Sequence, residues 1–585
     1  MELQGLRLRL RLGFAAALAL LSLIACSPAR AVSSTWTDPN APVLVTDTSA
    51  PPKGYRLTAQ IVERIATRDP RVQAELRRHR NLIPYEYTKG ADRWQVSWFT
   101  PPPHQKELLQ VYISDSTGRV TEVWTGFQVA WTMARGYPGA FGRQVNSWYV
   151  WLPLCLLFIA PFLPLRPLRR PGLLHLDLLI LLGFSISLAF FNHARIGLSA
   201  PLAYPFLLYL FGRLLAIGFG RGRARVPLRL LVPVPWLALA VVFLVGFRAG
   251  LNIADSNVID VGYAGVIGAD KILHGQALYG HWPPDNAYGD TYAPVNYYAY
   301  VPFRAIFGWG GSWDTLPAAH AAAIAFDLLT LLGLLALGWR IRGPTLGVVL
   351  AYCWAAFPFS LYALASDSND SLVALLIVVA LLVLTSAPAR GVAGALAGLT
   401  KFAPLALGPL LLRGTGSRPP SRRQMLVYVL AYGVTALVVM LPVLLDNNLR
   451  AFWHDTLVYQ EGRGSPFSIW GLWGGLSFEQ HLVQGAAVAL ALALAVVPRR
   501  RGPVEVAALA AAIIIALQLG ITHWFYLYIV WFFAPGIVAL IAVQMPAPAL
   551  AERAAGRRRF QHELDGFGSH RLGTADHDAV QPRVV

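Results

Sequence analysis

Apolar runs of about 20 residues recur along most of the chain, the length needed to cross the hydrocarbon core of a bilayer. They predict membrane helices over 148–165, 173–191, 202–219 and 230–247, then over 316–338, 345–363 and 371–386. Four more follow over 425–445, 481–497, 503–519 and 522–543, about 11 in all. One polar stretch, 251–311, interrupts this rhythm. It is too polar to span, yet rich in Tyr, Trp and Pro, and it carries Asp255, Asp260, Asp270, Asp285 and Asp290. A loop this long is usually functional or disordered, and its aromatic content argues against disorder.

The segment before the first span has a different texture. Asp38 to Lys53 reads as linker, rich in Pro, Ser and Thr. Helical spacing covers Leu57–Arg80, with Ile61, Ile65 and Val72 on one side. Strand alternation follows at Trp94, Val96, Trp98 and at Leu109, Val111, Ile113. A tight turn at Asp115–Gly118 leads to a last strand from Val120. This predicts a small α+β domain over 32–146, outside the membrane. The fold class expected is therefore a polytopic α-helical membrane protein with an N-terminal α+β extracytoplasmic domain.

Composition agrees. Of 585 residues 55% are hydrophobic and only 14% charged, against about 25% charged in ordinary soluble domains. The formal charge of +18 raises nucleic acid as a partner, but the placement of arginine excludes it. Arg166, Arg169 and Arg170, then Arg221, Arg223 and Arg225, Arg340 and Arg342, Arg499–Arg501 and Arg557–Arg559 sit in short joins beside apolar runs. That is the positive-inside pattern of a membrane protein. With 32–146 outside, it puts these joins in the cytoplasm and 251–311 on the outer face.

The run 391–412 breaks the alternation, because both its flanks, Arg390 and Arg413 to Arg423, look cytoplasmic. At its middle stands Lys401-Phe402-Ala403-Pro404. A charge at membrane depth is costly, and irregular backbone there survives only when shielded. The expectation is an intramembrane hairpin broken near Lys401; a single tilted span with a snorkelling lysine would break the parity.

The N-terminus has Arg7, Arg9 and Arg11 before the apolar run Gly13–Ala25, the layout of a secretory signal over 1–31. Leu23-Ile24-Ala25-Cys26 resembles the lipobox of bacterial lipoproteins, which implies lipidation of Cys26. Cleavage after Ala29-Arg30-Ala31 and retention as an anchor are the alternatives. Cys155 and Cys353 lie in apolar runs and read as small hydrophobes, so no disulfide framework is expected. Residues 544–585 form a polar cytoplasmic tail.

Acids gather at the predicted outer face, with Asp367 and Asp370 added to those of the long loop, while Lys401 lies at membrane depth. His523 stands where the last span begins, and Arg463 and Ser465 lie in the outer segment 446–480. A carboxylate that takes a proton from an acceptor hydroxyl, with cations to offset charge on a phosphate leaving group, suits a lipid-phosphate chemistry. Each residue also has a plain role: Asp260 or Asn369–Asp370 as helix caps, Lys401 as half of a structural pair, His523 as an interfacial histidine. The tyrosines at 292, 297, 298 and 300 fit either sugar stacking or an interfacial belt. No metal-ligand spacing appears, so no metal or cofactor is expected.

Asp260-Val-Gly-Tyr263, then Leu273-His-Gly275 and Leu278-Tyr279 before Tyr/Pro-rich sequence, resemble the first outer loop of glycosyltransferase-C enzymes, in particular family 87. Ala395 to Pro404, with Lys401 inside, resembles their membrane hairpin. The resemblance spans roughly 229–543, leaving 147–228 as additional membrane helices, and residues 32–146 are similar to a PepSY-type domain. It implies a plasma-membrane mannosyltransferase using a polyprenyl-phosphate sugar, with a lipid or glycan acceptor. Asp260 would be the general base and Asp255 the runner-up. Lys401, Asn369, Asp370, Arg463, His523, Tyr263 and Tyr279 would contact substrates. A transporter of lipid-linked sugars would need paired repeats with matching broken helices, and Lys401 has no evident twin. A non-catalytic envelope sensor is the other alternative.

Overall fold

The computed structural model describes residues 42–545, apart from 103–106, 126–128, 130–141, 164–171, 194, 223–227, 284–285, 314 and 463. The signal region with Cys26, Asp285, Arg463 and the tail beyond 545 lie outside the described residues.

Alternation builds the N-terminal unit. Strands β1 (Pro42–Leu44), β2 (Ile83–Lys89), β3 (Arg93–Phe99), β4 (Glu107–Ser114) and β5 (Val120–Thr125) form an antiparallel sheet in sequence order. Trp94, Val96 and Trp98 of β3 share a face with Leu109, Val111 and Ile113 of β4. They bury Ala59, Val62, Ala66 and Val72 of two covering helices, α1 (Ala59–Thr67) and α2 (Pro70–Arg78). The single helix expected over 57–80 is divided because Pro70 lacks an N–H and Asp69 caps the second helix through Arg71 N, at 2.9 Å. Within the first helix Ile61 faces outward, and Val62 takes its place in the core. Asp115 ties sheet to helices, accepting from Trp94 Nε1 at 2.8 Å and from the backbone of Arg56 and Leu57.

The membrane part comprises α3 (Trp148–Ile159), α4 (Leu173–Asn192), α5 (Ile196–Gly218), α6 (Val234–Ala254), α7 (Asp260–Leu273) and α8 (Pro294–Phe307). It continues with α9 (Pro317–Arg342), α10 (Pro344–Ala356), α11 (Pro358–Ala365), α12 (Asp370–Leu382), α13 (Ala387–Gly398) and α14 (Gly408–Arg413). The last are α15 (Arg422–Leu445), α16 (Ser477–Ala493), α17 (Pro503–Gly520) and α18 (Ile529–Ala542). Among the described residues six helices are long and apolar enough to cross a membrane: α4, α5, α6, α9, α15 and α17. The pair α10–α11, bent by 58°, makes at most a seventh. The chain is a multi-pass membrane protein, but the expected count of about 11 is not reached by length alone. Pro358 bends one predicted span, and the buried polar run 366–370 shortens the next.

Helix α17 is 83% buried and forms the bundle's centre, whereas α15 is only 17% buried and α6 22%. Their uncovered Val242, Phe243 and Leu437 suit a lipid surround. The arginines collect at one end. Arg340 Nη1 donates to Leu382 O, Arg413 Nη2 to Arg499 O, and Arg390 Nε to Leu411 O, at 2.7, 2.9 and 2.8 Å. The last of these bonds holds both feet of 391–412 side by side, as a hairpin requires. Between them α13 rises to a break at Leu399–Phe402, and a 3₁₀ turn (Ala403–Leu407) and α14 descend.

Candidate active site

Polar residues gather where α12 begins, at the end of α12 away from Arg340. Ser366 to Asp370 are all buried, and Asp367 holds the left-handed region at φ 48°. Such strain in a side chain larger than glycine persists only where its surroundings fix it. Here they do. Asp367 accepts from Asn252 Nδ2 at 2.7 Å and Ser256 Oγ at 2.9 Å, and lies 3.2 Å from His320 Nδ1.

Asp370 faces the other way. Its Oδ1 accepts from Lys401 Nζ at 2.7 Å and from Trp531 Nε1 at 2.8 Å. Oδ2 has no hydrogen-bond partner among the described residues, although it is buried. The Lys401 ammonium lies 4.9 Å from the Trp531 ring centroid and 5.5 Å from those of Tyr292 and Tyr528, a cation–π cage. The hairpin break delivers the lysine here, and Val295 N donates to Leu399 O at 3.0 Å, fastening the break to α8. Next to Asp370, Asn369 Nδ2 donates to Asn296 Oδ1 at 2.6 Å. His523 joins through its neighbours: Nδ1 lies 2.9 Å from Ser465 Oγ, and its ring meets Tyr528, which stacks on Trp531. Asn369, Asp370, Lys401 and His523 are thus brought together.

Asp260 enters from the side. Asn257 N and Ile259 N donate to Ala365 O and Ser366 O, both at 3.3 Å, so the chain before α7 lies along the buried run. Gly262 makes this approach possible, since a Cβ there would come 2.3 Å from Asp367 O. Asp260 is the first residue of α7, with an exposed side chain, and its carbonyl accepts from Asn286 Nδ2 at 2.9 Å. Asp255 points elsewhere: its Oδ2 accepts Gln144 N at 3.2 Å, and Arg143 lies 3.9 Å from its other oxygen. Tyr263 is buried against Trp309 and Trp313, and Tyr279 against Phe452, its hydroxyl donating to Tyr292 O at 3.0 Å. Both tyrosines therefore build walls. Tyr297 and Tyr300 are also buried, and Tyr298 donates to Val439 O at 3.1 Å.

Sequence reading missed Trp531, Tyr528 and Asn296, which lie on helices otherwise read as plain spans or aromatic loop. It also missed the Asp367–His320 contact; only the density of polar residues at 366–370 could have signalled it. Outside the spans, burial raises the Asp290 carboxyl above the ordinary range and nearby Asp455 adds to the effect, while burial lowers the Lys271 ammonium. Among the described residues no three His, Cys, Asp or Glu side chains group as metal ligands.

Most of this cluster falls in a stretch that comparison places, with Tyr528 and Trp531 of the cage lying just beyond it. Residues 291–523 match the model of glycosyltransferase family 87. The match supports a membrane glycosyltransferase. It takes in Asn369, Asp370, Lys401 and His523, with His523 its last residue. Asp255, Asp260, Tyr263 and Tyr279 precede the family-87 stretch, as do 32–146 and the first spans. Comparison with curated proteins gives no match.

Proposed function

We propose that the chain transfers a sugar, mannose, from a polyprenyl-phosphate donor to an envelope glycolipid or glycan on the extracytoplasmic face of the plasma membrane. The observation that carries this reading is the caged Lys401–Asp370 pair inside the matched stretch 291–523: a buried cation beside a carboxylate with one oxygen unshared among the described residues. Lys401 meets the donor phosphate. Asp260 takes the proton from the acceptor hydroxyl, whose oxygen attacks the anomeric carbon from the face opposite the phosphate. The bond to the phosphate oxygen breaks, the sugar inverts, and polyprenyl phosphate leaves with its charge offset by Lys401 and by a hydrogen bond from His523. Asn369 positions the start of α12, and Asp370 holds the ammonium in place. No metal or other cofactor takes part.

Asp260 is taken as the base because α7 carries it on its first turn, where the chain lies along the buried run 365–367, and Asp255 is the runner-up. The N-terminal α+β unit, read as PepSY-like, and Cys26, read as lipidated, serve as regulator and anchor, and Arg463 adds a second cation to the donor phosphate.

The test uses membranes containing wild type, Asp260→Asn or Asp255→Asn, given radiolabelled polyprenyl-phosphate mannose and an envelope glycolipid extract. Wild type is expected to transfer label, Asp260→Asn to lose about 100-fold or more, and Asp255→Asn to stay near wild type. Undiminished transfer by Asp260→Asn removes the base assignment. Failure of wild type with every polyprenyl-phosphate sugar removes the enzyme reading in favour of a transporter or sensor.

A further inference from the structure

A second concave feature lies beside the lysine cage. A cleft of about 470 Å³ opens between residues 280–282, 287–290 and 454–459, within the range of small-molecule sites. Its aromatic walls are Trp282, Tyr288 and Tyr459, and its polar rim is Asp290, His454 and Asp455. The Tyr288 and Tyr459 rings lie 5.1 Å apart and 19° from parallel, and Tyr288 is 67% exposed at the mouth.

These groups are held in place. Trp282 Nε1 donates to Leu278 O at 3.0 Å, and the indole lies so close to Gly289 that a Cβ there would come 2.4 Å from the ring. Asp290 is buried, with Oδ2 accepting Gly280 N at 2.8 Å. Asp455 stands next to it and holds His454 Nδ1 at 3.0 Å. His281, between Gly280 and Trp282, takes the left-handed region at φ 53°, a local strain of the kind stored at binding sites.

A pyranose presents an apolar face of C–H groups and a rim of hydroxyl donors. Flat aromatic rings suit the face, and carboxylates, which only accept, suit the rim. The cleft also adjoins the reaction centre: Asp290 is two residues from Tyr292, whose ring forms part of the Lys401 cage.

We infer that this cleft seats a sugar of the acceptor beyond the one that reacts, stacked against Trp282 and the Tyr288–Tyr459 pair with hydroxyls on Asp290 and Asp455. The acceptor is therefore a glycan and not a simple lipid alcohol. This assignment rests on the glycosyltransferase reading.

Purified full-length protein in nanodiscs is titrated calorimetrically with methyl di- and trisaccharides of mannose, glucose and galactose, alongside the transfer assay. At least one saccharide is expected to bind saturably to wild type. Tyr288→Ala, at an exposed position, weakens binding about tenfold, Tyr288→Phe retains it, and Asp455→Asn weakens it. The acceptor KM moves with these affinities. Transfer by wild type with no saccharide binding, or with binding the same in all variants, overturns the subsite and leaves the enzyme reading intact. Binding that is weakened by Tyr288→Ala, without transfer from any polyprenyl-phosphate sugar, keeps the cleft as a saccharide site but overturns its assignment to an acceptor, together with the enzyme reading.

Discussion

Two buried ion pairs in this bundle show how the same charges can serve different ends. Arg248 of α6 and Asp327 of α9 meet within the bundle, and almost every polar atom there is used. Arg248 Nε donates to Asp327 Oδ2 at 3.2 Å and Nη2 to Oδ1, while Nη1 reaches Ala355 O at 3.0 Å and Ser360 Oγ at 3.1 Å. Trp354 Nε1 completes the set on Asp327 at 2.8 Å. The arrangement explains itself at Pro358, which breaks the α10–α11 ladder and frees carbonyls that lipid cannot satisfy. Arg248, with its planar fork of donors, satisfies Ala355 O and holds Ser360 Oγ, which in turn donates to Trp354 O. Lys401 and Asp370 are a different case: a compact charge in an aromatic cage and a carboxylate with one oxygen unshared among the described residues. A saturated pair closes a structural gap, whereas an unsaturated one keeps capacity for something else.

The comparison breaks most visibly at the saturated pair. Arg248→Met leaves Asp327 charged and buried and Ala355 O without its donor, and is expected to destabilise the protein by about 3–5 kcal/mol. Thermal unfolding of detergent-solubilised protein measures this. Arg248→Met with Asp327→Leu should recover much of the loss, because no unpaired charge remains. A double variant as unstable as the single one would mean that the carbonyls, and not the charge, dominate.

At the unsaturated pair the same experiment should separate folding from activity. Lys401→Met is expected to lower transfer about 100- to 1,000-fold, the scale of removing one charge-stabilising donor. Lys401→Met with Asp370→Asn restores thermal stability but not transfer. If transfer returned with stability, Lys401 would be a second structural pair, and the contrast with Arg248 would vanish.

That contrast was only half legible in the sequence. Lys401 stood out because its flanks broke the arginine parity, and hairpin, break and depth followed from that one anomaly. Asp327, Arg248, Asp177 and Arg213 gave no such sign, since one charge in a long apolar run does not name its partner. Their pairing is a matter of which helices touch: α6 with α9, and α4 with α5, where Arg213 Nε meets both oxygens of Asp177 at 3.1 Å. Likewise Trp94, Val96 and Trp98 announced β3 by alternation, while β1 and β2, with mixed patterns, depended on neighbours that only the folded sheet supplies. The cage rings Tyr528 and Trp531 come from far along the chain, and no local spacing could place them at Lys401.

A smaller effect tests how Asp260, the proposed base, is carried towards the pair. Gly262→Val puts side-chain atoms where Asp367 O already lies, since even a Cβ would come within 2.3 Å. Overpacking of this kind costs about 1–3 kcal/mol, and α7 should relieve it by moving its first turn, with Asp260, away from the cage. The expected result is a lower kcat with the donor KM little changed. Unaltered kinetics would show that the docking of α7 on the buried run does not set the position of Asp260.

The smallest effect concerns acids outside the membrane, where pH becomes the probe. Burial, assisted by Asp455, raises the Asp290 carboxyl above its value in the unfolded chain. The native state therefore holds the proton more tightly than the unfolded state does. Its contribution to stability is fully present below the ordinary carboxyl range, near pH 4. It is lost as pH rises through the raised native value. Asp290→Asn keeps a hydrogen-bonding side chain that never ionises, so the variant should gain on wild type as pH increases from 4 to 7. The Tm difference between the two, followed across that range, reads the effect directly. A difference independent of pH would mean that Asp290 ionises in the fold as readily as in the open chain.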